Sequence, residues 1–400
     1  MTQGSGALYL DACATTPPAA EVLEAMACAQ SQAWANPSSL HGFGLAAAEQ
    51  LERARVEVAK HLGCTASQVL FTSGGTESIH LALLGMAAAQ PPARLLISAV
   101  EHPATLAAAD QLQRLGWQVE RIPVDQVGVV DLEAFERLLQ PPTRLVSVIW
   151  GQSEVGTIQP IEALGDRCRQ AGVPFHVDAV QVVGHRPLRF NALPIDLLSL
   201  AAHKLQGPRG VGALLVRSDL RLQPLIGGGG QERGLRGGTE PVVLAVGLAR
   251  ALALAEARLQ AHGGEDPTAL LRDGLLEALL ACEGLRLSGP NPLDPRAPKR
   301  LPHHISLLVA GPVDQPLSGR RLVHALWQEG LAVSSGSACS SGRTAHPDGL
   351  SPSPVLEAMG YAPGEAASGL RLSLGPWLSV SDLALVPAAL ERARRKLLAD

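Results

Sequence analysis

The sequence predicts an α/β fold with a large domain built on a mostly parallel sheet, followed by a smaller α/β domain. Three observations predict it. Four hundred residues exceed a single small core. From residue 70 to 216, short apolar runs alternate with longer segments of helical apolar spacing. After a break near residue 262 the same alternation resumes in shorter form.

The runs come in order: "QVLFTS" (68–73), "RLLISAV" (94–100), "RLVSVIW" (144–150), "PFHVDAV" (174–180), "DLLSLAA" (196–202) and "GALLVR" (212–217). Each is strand length, and none alternates with polar residues, as expected for strands buried on both faces. Segments such as "PATLAAADQLQRLG" and "IEALGDRCRQAG" read as helices between them. "GALLVR" follows its predecessor after a short turn, which suits an antiparallel strand. A long helix is expected from about Pro241 to Ala261, ended by "HGGEDPT". Beyond it, "HHISLLVA" reads as a strand, "LSGRRLVHALWQEG" as a helix and "LRLSLG" as a strand. The Pro-rich "PNPLDPRAPKRLP" is expected at the surface.

Composition excludes several classes. The chain is 46% hydrophobic with a net charge of −4, which suits a globular enzyme and gives no electrostatic case for nucleic-acid binding. The N-terminal stretch has no basic segment followed by an apolar run, and no apolar stretch reads as membrane-spanning. The six cysteines (13, 28, 64, 168, 282 and 339) show no CxxC spacing. That pattern argues against a disulfide framework or a zinc site and for a reducing, cytoplasmic setting.

Ligands of open parallel sheets bind at the carboxyl ends of strands. Polar residues collect there in four successive runs: Glu101 and His102, then Gln152, Ser153 and Glu154, then Asp178 and Gln181, then His203 and Lys204. Each has an ordinary structural reading. A lysine after a strand snorkels to water, an aspartate caps a helix, and a histidine before proline sits in an extended turn. "FTSGGTES" adds a glycine pair, Gly74 and Gly75, and the Thr76 hydroxyl where a strand opens into a helix, a place that favours phosphate or a simple N-cap. A phosphate cradle, an acid, an imidazole and a lysine together suit pyridoxal phosphate, which needs a lysine amine and an acidic partner for its ring nitrogen.

Nine stretches carry a family resemblance: "YLDACATTPP", "NPSSLHGFG", "FTSGGTES", "EHPA", "HVDAVQ", "HKLQGPRGVGAL", "GGGGQERGLRGGTEPV", "VSSGSACSSG" and "LRLSLG". In order and spacing the chain resembles the cysteine desulfurases of the class V aminotransferase superfamily, the NifS-like and IscS-like enzymes. The resemblance implies a fold-type I enzyme with a seven-stranded sheet. Residues 15–262 would form the large domain, and 1–14 with 263–400 the small one, which carries the catalytic cysteine. It implies pyridoxal 5'-phosphate held by Lys204, with Asp178 on the ring nitrogen, His102 stacked on the ring and Gln181 at its phenolic oxygen. Gly75, Thr76 and His203 would bind the phosphate, and Thr239 would reach it from the other subunit of a homodimer. Arg371 would grip the substrate carboxylate, with Asn36 and Ser153 also at the substrate. Cys339, on a loop of Ser and Gly, would be the nucleophile that takes sulfur from L-cysteine as a persulfide, leaving alanine, and passes it to an acceptor protein such as an iron–sulfur scaffold or another sulfur carrier. A mobile loop suits a thiolate that must both attack and deliver.

Three features depart from the family pattern. Ser153 stands where an asparagine is usual, Ala201 where a phosphate-binding serine is usual, and the segment after Cys339 is longer. A selenocysteine lyase or a cysteine or cystine C–S lyase on the same scaffold is a related alternative, and the changes at Ser153 and Ala201 leave open a non-catalytic sulfur-transfer scaffold.

Overall fold

A computed structural model describes residues 6–311, 315–336 and 352–399. Cys339 lies outside the described residues.

The chain opens with a two-residue strand, β1 (Leu8–Tyr9), then two helices, α1 (Ala20–Gln32) and α2 (Gly42–Leu62). Gly63, at φ +63°, ends α2 in the left-handed turn that glycine adopts without steric cost. The large sheet follows: β2 (Val69–Thr72), β3 (Arg94–Ser98), β4 (Gln118–Ile122), β5 (Thr143–Ile149), β6 (Phe175–Asp178), β7 (Leu197–Ala201) and β8 (Gly212–Val216). Their spatial order is β2-β8-β7-β6-β5-β3-β4. β8 runs antiparallel to β2 and β7, and the remaining pairings are parallel. Seven strands, mostly parallel, is the sheet expected.

Helices cover both faces: α3 (Gly75–Ala87), α4 (Pro103–Arg114), α5 (Leu132–Leu138), α6 (Ile161–Ala171) and α7 (Val242–Ala261). One apolar core joins α1, α2 and α7 to one face of the sheet, through Val58, Phe71, Val148 and Leu248. A second packs α3 and α4 on the other, through Leu81, Leu95, Ala108 and Leu145. Burial on both faces explains why the strands inside the edge strand β4 read as mainly apolar runs.

After α7 comes α8 (Thr268–Leu280), then β9 (Leu285–Leu287), β10 (His304–Val309), α9 (Gly319–Gln328), β11 (Leu331–Ala332), β12 (Ser334–Ser335) and β13 (Gly369–Ser373). An antiparallel sheet runs β12-β13-β10-β9, and β1 pairs with β11. A separate apolar cluster unites Leu10 with Leu276, Ile305, Leu326, Leu372 and Leu390. The Pro-rich segment is only partly at the surface: Asn291, Pro295, Arg296, Pro298 and Lys299 are exposed, while Pro290, Arg300 and Leu301 are buried, with Arg300 donating to the carbonyls of Ser288 and Pro290. Among the described residues no helix is long and apolar enough to cross a membrane.

Candidate active site

A cavity of about 350 Å³ opens at the carboxyl ends of β2, β5, β6 and β7 and reaches across to β13. The topology brings nine of the expected residues to its wall: Gly75, Thr76, His102, Ser153, Asp178, Gln181, His203, Lys204 and Arg371.

Each is placed by its element. β2 turns into α3 at Gly75, where a Cβ would lie 2.8 Å from Val180, so glycine lets the helix N-terminus close on the β6 turn. Free N–H groups of the first turn of α3 and the Thr76 side chain therefore face the cavity floor. His102 caps α4, and its Nδ1 accepts the Ala104 N–H at 3.0 Å. With Nδ1 an acceptor, the neutral ring carries its proton on Nε2. Burial, helped by the Lys204 charge, pulls this imidazole down to about 4. Asp178 ends β6 and accepts the Val180 N–H at 3.0 Å. Its burial raises the carboxyl to about 6, against the pull of that hydrogen bond and Lys204.

Lys204 follows β7 in a single 3-10 turn. Its Nζ donates to the Cys13 carbonyl at 2.5 Å and the Ala14 carbonyl at 2.9 Å. The Gln181 amide donates to the same Cys13 oxygen at 2.9 Å. His203 Nδ1 lies 3.1 Å from the Thr15 hydroxyl, and burial lowers its ring to about 4. On the opposite wall Arg371 donates to the Ser153 carbonyl at 3.0 Å and to Asp11 at 2.7 Å.

Asn36 and Thr239 do not line the cavity; both are exposed on this chain. Asp11, Cys13, Ala201 and Ser334 do line it. Asp11, Cys13 and Ser334 carry no role in the sequence reading, and the one available signal for the first two is their place in "YLDACATTPP". Among the described residues no group of three or more His, Cys, Asp or Glu side chains is arranged to hold a metal ion.

The donor set fits pyridoxal phosphate. Asp178 is a buried carboxylate turned to a cavity, a costly arrangement unless a cation arrives to pair with it, as a protonated ring nitrogen would. A helix N-terminus suits the phosphate, and a lysine amine stands on the same wall. The architecture is that of a fold-type I α/β enzyme. The aminotransferase class-V family profile matches residues 8–386. A cysteine desulfurase of Cereibacter sphaeroides is 43% identical over 381 residues, spanning 94% of this chain and 92% of that protein. A NifS-like protein structure superposes with a TM-score of 0.86 at 33% identity, over 98% of this chain and all of its own. A structure of SspA in complex with cysteine superposes at 0.77 with 31% identity, over 93% and 99%. The chain belongs to the class V aminotransferase family and, within it, to the cysteine desulfurases.

Proposed function

We propose that this chain binds pyridoxal 5'-phosphate and converts L-cysteine to L-alanine, taking the sulfur onto Cys339 as a persulfide. The observation that carries this reading is the meeting of Lys204, Asp178, His102 and Arg371 in one cavity. Lys204 would hold the cofactor covalently. Asp178 would pair with its ring nitrogen, His102 lie on its face and Gln181 reach its phenolic oxygen. Gly75, Thr76 and His203 would take the phosphate. When bound, the group supplies an electron sink for the α-carbon of the amino acid.

The chain's own residues do the rest. Arg371 orients the substrate by its carboxylate, since the guanidinium fork matches that group. His102, neutral with its one proton on Nε2, offers a hydrogen-bond donor at that atom, and takes up a proton only if Nδ1 releases the Ala104 N–H. Cys339 attacks the substrate sulfur as a thiolate. The new S–S bond forms as the C–S bond breaks, and the electron pair left on the organic fragment is closed by a proton, giving alanine. The persulfide then passes to an acceptor protein, of the iron–sulfur scaffold or sulfur-carrier class.

A second copy of the chain supports the site. Trp34, Leu40 and Phe43 are exposed, with the Trp34 and Phe43 rings 5.6 Å apart, near exposed Asn36. Apolar surface of this kind favours burial in an assembly. A homodimer would cover it and bring Thr239 to the partner's phosphate and Asn36 to the substrate. Residues 15–262 would form the large domain, and 1–14 with 263–400 the small one, a division supported by the separate core around Leu10 and Ile305. Free Cys13, Cys28, Cys64, Cys168 and Cys282 support a cytoplasmic setting.

The test is to give L-cysteine to the loaded protein and quantify alanine, beside Cys339→Ala. Alanine from the wild type and not from the variant is expected. Pyruvate in place of alanine would make the chain a C–S lyase.

A further inference from the structure

Behind the cavity runs a buried polar chain that the reaction as described does not use. Asp266 accepts from His185 Nδ1 at 2.7 Å, and from the Thr268 N–H and hydroxyl at 3.0 and 2.8 Å. Burial alone would raise the Asp266 carboxyl, but these bonds and the nearby Arg258 hold it well below the usual range. The His185 ring stacks on the His303 ring, with centroids 3.8 Å apart and planes 20° from parallel. His303 Nε2 then meets the Cys13 thiol at 3.3 Å. His185, His303, Asp266 and Cys13 are all buried.

Cys13 is where this chain touches the site. Its carbonyl receives both Lys204 Nζ and the Gln181 amide, and its N–H donates to Ser373 Oγ at 2.8 Å. The backbone of Cys13 thus sets where two cavity side chains point. Its thiol has two hydrogen-bonding neighbours, His303 and Ser373. Among the described residues the other nitrogen of that ring, Nδ1, has no hydrogen-bond partner. A fully buried imidazole with one nitrogen unpaired is a poor way to fill a core, where each such group costs free energy. It is intelligible if the engaged nitrogen has a task.

We propose that His303 is a positioning residue: braced by the His185–Asp266 pair and acting through the Cys13 thiol, it fixes the carbonyl that aims Lys204 and Gln181. This role rests on the reading of Lys204 as the lysine that holds the cofactor. His303 itself never touches the reacting atoms. Burial, with the neighbouring His185 and His304, keeps its ring neutral, so it orients without adding charge beneath the lysine. Small errors in the aim of a reacting amine are costly in rate.

The test follows cofactor capture, which needs no turnover. Full-length protein stripped of cofactor is mixed with pyridoxal phosphate, and the visible absorbance of the bound form is timed. His303→Leu is expected to slow capture about tenfold while the melting temperature of the stripped protein stays within about 3 °C of wild type. His303→Gln, whose amide nitrogen reaches as far as Nε2, is expected to restore most of the rate. The double variant of Cys13→Ser with His303→Leu is expected to be no slower than His303→Leu alone, because both lie on one path. Capture by His303→Leu at the wild-type rate would overturn the role and leave Lys204 as the cofactor lysine. So would a slowing that follows lost thermal stability and that Gln does not rescue. Wild type that gains no visible absorbance would remove the reading of Lys204 itself, and this role with it.

Discussion

Arg371 and Asp11 form an ion pair at the wall of the cavity, 2.7 Å from Nη2 to Oδ1, with both side chains largely withdrawn from water. The guanidinium that would receive the substrate carboxylate is thus already shared with a carboxylate of its own chain. Asp11 aims the fork and also competes for it. Asp11→Asn is expected to lower the KM for cysteine severalfold by removing that competition, and to cost about 1–3 kcal/mol of stability by leaving Arg371 less compensated. Arg371→Lys is expected to raise KM about tenfold, because an ammonium loses the two-point grip. Alanine production against cysteine concentration, with a melting curve for each variant, checks both. An unchanged KM in both would remove Arg371 from substrate binding.

Glu101 predicts a pH dependence. Its carboxyl is buried at the end of the turn after β3 and accepts the Ser98 hydroxyl at 2.5 Å and the Ile149 N–H at 2.8 Å. Burial pushes it up to about 8, against the pull of those two bonds, with Asp178 adding to the rise. In the unfolded chain it loses its proton near the ordinary glutamate value. Between these two values the folded state holds a proton that the unfolded state has lost. Stability from this group is therefore present below the unfolded value and falls as pH rises toward about 8. Glu101→Gln cannot titrate. Wild type is expected to lose about 1–3 kcal/mol more than Glu101→Gln between pH 5 and 9, read as the difference in unfolding free energy at the two pH values. Parallel curves would show that Glu101 is ionised in the fold.

The large sheet was legible because its strands are buried on both faces, so Leu95 to Ile97 or Val69 to Phe71 stand out as unbroken apolar runs. β4 was not. It lies at the sheet edge, with Gln118, Glu120 and Arg121 exposed along it, and the charges that protect an edge erase the apolar signal. Asp178, His102 and Lys204 were legible because each stands at or just beyond the carboxyl end of an apolar run. Asp11 and Cys13 were not, because they enter the cavity from a near-terminal stretch whose place depends on contacts with Ser373 and His203, hundreds of residues away. His185, Asp266 and His303 illustrate the same limit: nothing local in "GHRP", "GEDP" or "LPHH" indicates that two rings stack and a third group braces them.

Ala201 tests the anion site. It ends β7, is buried, and its Cβ sits 3.7 Å from where a Cβ on Gly75 would lie, beside the N-terminus of α3. Ala201→Ser places a hydroxyl there. Without a ligand that hydroxyl is a buried polar group short of a partner, so the stripped protein is expected to lose about 1 kcal/mol. With phosphate present it gains one, and cofactor loss on dialysis is expected to slow about three- to tenfold. Opposite signs in the two states are the signature to look for. Equal destabilisation of both would mean that the phosphate does not lie against Ala201.

Glu232 protects the free edge of β2. Among the described residues this edge strand has no strand on its outer side, and the 3-10 turn at Glu232–Gly234 supplies side chains in place of one. Glu232 accepts the Phe71 N–H at 3.0 Å and Arg55 Nη1 and Nη2 at 2.8 Å each, while Arg55 and Arg233 donate to the Val69 carbonyl at 3.0 and 2.9 Å. Holding the carboxylate there puts Glu232 at φ +48° and Arg233 at φ +58°, left-handed conformations that cost a non-glycine residue energy. Glu232→Gln removes the charge but keeps the shape, leaving the buried Arg55 guanidinium with only the exposed Glu52, 3.1 Å from its Nε, as a counter-charge. It is expected to cost about 3–5 kcal/mol. Adding Arg55→Met to that variant removes the under-compensated charge, and about half of the loss is expected to return. Denaturant unfolding of the two variants beside wild type decides it. If the second substitution deepens the loss instead, Arg55 serves β2 mainly through the Val69 carbonyl and its packing over the Phe71 ring, 4.7 Å from the centroid, rather than through its pairing with Glu232.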